Sequence, residues 1–221
     1  MKNFFSSDNP VIGFLSDVVD LIILELVWFA LCIPIFTIGA STSAFYYTVN
    51  KVIRKKKGIL MQEFWRAFKE GFKNASVIWL IVLGIELLCG YGMLCTLPAL
   101  PSGSLVGFSS LLFLLIAVFT MFYFMTAEAV VARFQNKAST TMKNALVIMF
   151  ANPQIMIFQL VMAVVMGVIF ALLTVTSVFW PMIYMLLLTY ILEPVFFKYM
   201  TPEEQLAEKE DEQYADNRHI E

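Results

Sequence analysis

The stretch Ala75-Ser76-Val77-Ile78-Trp79-Leu80-Ile81-Val82-Leu83-Gly84-Ile85-Glu86-Leu87-Leu88-Cys89-Gly90-Tyr91-Gly92-Met93-Leu94-Cys95-Thr96-Leu97, stopped by Pro98 and Pro101, decides the fold class of this chain. An α-helix needs about 20 predominantly apolar residues to cross a hydrocarbon core about 30 Å thick, and this run supplies them. Its eleven Leu, Ile and Val residues favour insertion by roughly 3–7 kcal/mol. The single acid near its middle, Glu86, costs about 2.5–3.5 kcal/mol, so the segment still inserts.

Working outward, the same pattern recurs. Further apolar runs cover about Val18–Ile38, Leu105–Val131, Gln154–Thr176 and Phe179–Tyr199. Five spans are expected. A sixth would need Ala40–Val52 to insert, and the polar face of that stretch argues against it. Pro34 is expected to kink the first helix, with the cluster Gly39-Ala40-Ser41-Thr42-Ser43 capping a second. Asn152-Pro153 reads as a turn before a helix start, and the last two spans form a tight hairpin. The totals agree: 60% of the 221 residues are hydrophobic and 14% charged, against roughly 45–50% and 25% in soluble domains. Mean hydropathy is +0.78. The expected fold is all-α, a polytopic transmembrane helix bundle over residues 1–200 followed by an acidic tail over 201–221. A soluble globular enzyme, a disordered chain and a disulfide scaffold are excluded. The N-terminal segment, with Asp8 and Asp17 and no small-residue cleavage site, does not read as a cleavable signal peptide.

The net charge of −2 hides an asymmetry. Eight of the fifteen basic residues lie between Lys51 and Lys73. Arg133, Lys137, Lys143 and Lys198 fall in segments expected on the same side. Basic residues mark the cytoplasmic face, which predicts an outside N-terminus, a cytoplasmic C-terminus and a bacterial plasma-membrane location. Two amphipathic helices are expected on that face, about 41–57 and 61–73. In the second, Met61, Phe64, Trp65, Phe68 and Phe72 share one helical face, and Arg66, Lys69, Glu70 and Lys73 the other. Such a stripe suits an anionic inner leaflet. It either seals the bundle or presents Phe64, Trp65, Arg66, Phe68, Lys69, Phe72 and Lys73 to a partner. The basic run Lys55-Lys56-Lys57 has no interleaved recognition motif, so nucleic acid is not an expected partner. Phe72-Lys73-Asn74-Ala75-Ser76-Val77-Ile78 and Met142-Lys143-Asn144-Ala145-Leu146-Val147-Ile148 share a K-N-A-x-V-I pattern, a weak internal repeat of the kind transporters use.

Chemistry inside the membrane would rest on acids. Glu25, Glu86, Glu128 and Glu193 are the candidates, with Asp20 nearer the interface. Each is either a proton-relay or cation site, or a hydrogen-bond partner between helices. Ala163-x-x-x-Gly167-x-x-x-Ala171 permits close helix packing, first within the monomer and second in a homo-oligomer. Cys32, Cys89 and Cys95 sit in apolar runs without a C-x-x-C pair, and the one histidine, His219, is near the C-terminus. No catalytic residue, metal site or cofactor is expected: nucleotide-binding loops, H-E-x-x-H and G-x-S-x-G elements do not occur. Thr201-Pro202-Glu203-Glu204 reads as a helix start with a capping box.

Three ordered motifs add a resemblance. Leu31-Cys32-Ile33-Pro34-Ile35-Phe36-Thr37-Ile38-Gly39-Ala40-Ser41-Thr42 with Ala44-Phe45-Tyr46-Tyr47 is the first. Phe64-x-x-Ala67-Phe68-Lys69-x-x-Phe72-Lys73-x-Ala75 is the second, and Ala132-Arg133-Phe134-x-Asn136 before Lys143-Asn144-Ala145 the third. Together, over nearly all of the chain to about residue 200, they resemble the YesL-like bacterial membrane proteins, a domain of unknown function. Glu86 matches no motif of that family. Members are often encoded beside sugar-uptake transporters and two-component regulators. The resemblance therefore implies a non-enzymatic accessory role in carbohydrate uptake or sensing, with a sugar transporter or sensor kinase as partner. The competing expectation is a small transporter or channel using Glu25 and Glu86.

Overall fold

A computed structural model describes residues 10–134, 136–172 and 179–209. Seven of its helices are α1 (Pro10–Cys32), α2 (Ile38–Thr48), α3 (Leu60–Thr96), α4 (Leu105–Arg133), α5 (Ala138–Ala151), α6 (Pro153–Leu172) and α7 (Trp180–Lys198). An eighth, α8, covers residues 202–209. The described residues form no strand, and the all-α expectation holds. The end of the fourth expected span, the link to the fifth, His219 and most of the acidic tail lie outside the described residues.

Four segments are long and apolar enough to cross a membrane: Leu60–Pro101, Leu105–Arg133, Pro153–Ala171 and Trp180–Lys198. The first expected span is not among them, because Asp17, Asp20 and Glu25 all fall within α1. Pro34 does not kink that helix but ends it. α1 stops at Cys32, and Pro34 precedes a short 3-10 turn, Ile35–Thr37, that leads into α2. The Thr37 hydroxyl donates to the Pro34 carbonyl at 2.6 Å, so Thr37 closes the turn, and no side chain of the expected cluster caps α2.

The first part of the stretch expected as an interfacial helix, 41–57, lies instead in the core. From Gly39 to Tyr46 every residue of α2 is buried. The reason is size. Gly, Ala, Ser and Thr let α2 approach α3 so closely that a Cβ at Gly39 would stand 2.5 Å from the Ala75 carbonyl oxygen. Its hydroxyls are satisfied: Ser41 donates to the Thr37 carbonyl and Thr48 to that of Ala44, both at 2.8 Å, and Ser43 donates to the Glu128 carbonyl of α4 at 3.1 Å. Around α2 stand α1, α3, α4 and α7.

A second correction concerns residues 61–73, which are not a separate interfacial helix. They are the first turns of α3, which runs unbroken for 37 residues, about 55 Å. No proline interrupts Lys73-Asn74-Ala75, and the Asn74 side chain donates to the Asn136 carbonyl at 2.8 Å instead of capping a new helix. The aromatic stripe divides: Phe64 is fully buried, whereas Trp65 is 40% exposed. The K-N-A-x-V-I repeat places Ala75 and Ile78, and Ala145 and Ile148, in the core. One copy lies mid-way along a long helix and the other in the short α5.

The small-residue pattern of α6 is not used for close packing among the described residues. Ala163, Gly167 and Ala171 are exposed, and a Cβ at Gly167 would meet nothing within 4 Å. Core packing is concentrated toward the basic end of the molecule, around Phe45, Tyr46, Phe64, Leu192 and Phe196. At the other end α3 and α4 form a two-helix arm that presents Leu87, Leu88, Leu94, Leu111 and Leu115 outward, as a lipid-facing surface requires.

Candidate functional site

The basic face is built on an unusual backbone. After α2 the helix widens into a π-turn, Val49–Arg54, closed by the Lys55 amide donating to the Asn50 carbonyl at 3.1 Å. Lys56 then adopts a left-handed φ of 54° and Gly58 one of 88°, which reverses the chain into α3. π-turns widen the helix and re-aim its side chains. The basic residues here fan toward different neighbours. Lys51 pairs with Glu63 of α3 at 2.9 Å, and Lys56 with Asp17 of α1. Arg54 lies 5.0 Å over the Tyr190 ring of α7. Arg66 of α3 pairs with Glu63 and donates to the Tyr47 hydroxyl.

The Asp17–Lys56 pair has a topological meaning. It places the early turns of α1 beside the basic loop. α1 rises from the basic face, the Pro34 turn reverses the chain, and α2 returns to the same face.

Arg133, the last residue of α4, is the hub of this face. Its Nε stands 3.6 Å from Glu193 Oε2 on α7, and its terminal nitrogen pairs with Glu208 of α8. The other Glu208 oxygen takes Lys55, while the Tyr46 hydroxyl donates to Glu193 Oε1 at 3.0 Å. α2, α4, α7 and α8 are thus joined by one polar chain. Burial disfavours the Glu208 charge, but the hydrogen bond from Lys55 and the positive field of Arg133 outweigh it and hold the carboxyl below its usual range. Arg133 borders three cavities of about 390, 590 and 710 Å³. The first is also lined by Tyr46, Lys51, Lys55 and Glu193, the second by Tyr47, Arg66 and Asn74, the third by Asn136, Asn144 and Tyr199.

The four candidate acids are not gathered into one site. Glu193 joins the Arg133 hub. Glu25 is buried on α1, where the Met182 backbone of α7 hydrogen-bonds it. Glu86 lies part-buried on the α3 arm. Glu128 is 1% exposed, and neither of its carboxyl oxygens has a hydrogen-bond partner; one oxygen each of Glu25 and Glu86 is likewise buried and unpartnered. Of the expected partner surface, Arg66, Lys69 and Lys73 are exposed while Phe64, Phe68 and Phe72 line up behind them, with neighbouring rings 5.4–6.3 Å apart. Among the described residues no group of His, Cys, Asp and Glu could hold a metal ion, and all three cysteines are free.

Sequence reasoning missed Tyr46, Lys55 and Glu208 as site residues. Lys55 and Arg133 stood in visible motifs, but nothing local in the sequence ties Glu208 to residues 153 and 75 positions earlier in the chain.

Comparison with family models gives a match over part of the chain. Residues 21–93 fit the model of a family described as a protein of unknown function, DUF624. This agrees with the YesL-like resemblance, that family being a DUF624 family. The matched stretch runs from the second half of α1 through α2 and the basic loop to near the end of α3. No curated protein and no solved structure matches.

Proposed function

Taking the DUF624 domain at residues 21–93 as the premise, we propose that this chain is a non-enzymatic accessory component of carbohydrate uptake or sensing in a bacterial plasma membrane, acting through its basic face. The observation that carries this reading is the Arg133 hub. The polar side chains of four helices converge there around open cavities, beside exposed Arg66, Lys69 and Lys73. The carbohydrate link rests on the resemblance alone. A sugar transporter or sensor kinase is the partner in this reading, and the anionic leaflet holds the basic face in place.

Co-purification from native membranes tests it. The wild-type chain should bring down a transporter or sensor kinase, and Arg66→Glu with Lys69→Glu should release it while the chain still inserts. Repeated recovery of the wild-type chain alone overturns the proposal.

A second reading, a small transporter or channel, is favoured by the buried, unpartnered oxygens of Glu25 and Glu86, since intramembrane acids are costly and often mark ion pathways. It requires that Glu86→Gln change proton- or substrate-linked flux in reconstituted vesicles without altering assembly. Flux equal to that of protein-free vesicles removes it.

A further inference from the structure

We propose that the 390 Å³ cavity between the π-turn, α4 and α7 is a binding site for a phosphate group, and that Glu208 of α8 occupies it as an internal stand-in. The lining chemistry carries the inference. Lys51, Lys55, Lys57 and Arg133 face the cavity together with Glu193, Glu204 and Glu208. Two of those three acids come from α8. When α8 withdraws, Glu193 is the one acid that remains in the lining among the described residues. Lys51 keeps its own partner, Glu63, outside the cavity. Lys55 and Arg133 each lose the carboxylate oxygen they now hold.

The donors suit a tetrahedral oxyanion. Glu208 uses both oxygens, one on an ammonium and one on a guanidinium, which is the pairing a phosphate would make with further oxygens to spare. The guanidinium has unused capacity: its Nε makes no hydrogen bond, Glu193 standing at ion-pair distance only, and one terminal nitrogen also rests 3.6 Å from the Met200 sulfur, a weak acceptor.

α8 is built to leave. Its described turns cover residues 202–209. Among the described residues its one large apolar side chain, Leu206, is 60% exposed. What holds it is polar: Glu208, the Gln205 side chain donating to the Phe197 carbonyl at 2.8 Å, and Lys209 over the Phe197 ring. Such contacts near a surface contribute little individually, and a doubly charged anion competes directly for the strongest of them. The inference concerns ligand and tail only and stands apart from the identity of any membrane partner.

The test uses the full chain in lipid nanodiscs and reads amide hydrogen exchange in residues 202–209. Inorganic phosphate in phosphatidylcholine discs, against chloride at equal ionic strength, probes the free anion. Phosphatidylglycerol discs without phosphate probe the headgroup. Exchange accelerated several-fold in either arm supports the site and tells which source fills it. Glu208→Gln should bind the effective probe about tenfold more tightly, because the site no longer has to be vacated first, and Lys55→Gln should abolish the effect. Unchanged exchange in both arms overturns the proposal, as does equal affinity of Glu208→Gln and wild type.

Discussion

At the scale of single residues, Gly39 and Glu193 carry the most testable weight. A methyl group at Gly39 would press on the Ala75 carbonyl oxygen at 2.5 Å and on the Trp79 Cβ at 2.7 Å, and backbone cannot step aside. Overpacking of this kind costs about 1–3 kcal/mol. Gly39→Ala should therefore lower the midpoint of a detergent unfolding titration followed by tryptophan fluorescence, while Gly167→Ala, facing open space, should leave it in place. Glu193 is buried between the Tyr46 hydroxyl and Arg133. Hydrogen bonds to charged groups contribute about 1.5–3 kcal/mol, so Glu193→Gln should destabilise by about that amount, and an unchanged midpoint would mean the carboxylate is not part of the core. Glu193 was legible as an intramembrane acid from its type and position. Its partners were not, since Tyr46 and Arg133 lie far from it in sequence and only the crossing of α2, α4 and α7 unites them.

At the scale of elements, α3 shows both the reach and the limit of periodicity. The amphipathic turns at 61–73 and the apolar run at 75–97 each follow helical spacing, so their helical state was readable. Whether they formed one rod or two depended on what happens at Lys73–Ala75, where composition changes but no breaking residue stands. Composition was taken for a boundary; the backbone continues. α2 failed differently. Hydroxyl-rich sequence reads as surface, yet Ser and Thr that donate to carbonyls four residues back carry no unmet polarity into a core. α8 supplies a pH prediction. Because the Glu208 carboxyl is held below its ordinary value of 4.5, the stabilisation it gives α8 is fully present above that value. It is lost as pH falls through the depressed value. Amide protection of residues 202–209 should persist at neutral pH and collapse only below about 4.5, and Glu208→Gln should remove that dependence.

At the scale of the whole molecule, the ion pair between Asp17 and Lys56 joins the ends of a hairpin in which α1 and α2 turn back on each other at Pro34, where the sequence reads as a single crossing. In a cysteine-free background, a membrane-impermeant maleimide applied to one side of oriented vesicles should label Gly13→Cys and Ile59→Cys together and Gly103→Cys from the other side. Opposite labelling of Gly13→Cys and Ile59→Cys would restore the single-crossing arrangement. The burial of α2 also orders events in time. Of the four helices that wall it in, α3, α4 and α7 are all synthesised after it. The chain therefore emits its central piece early and seats it last, so a ribosome stalled before Trp180 should leave a fully inserted but unclosed protein, readily recognised by membrane proteases.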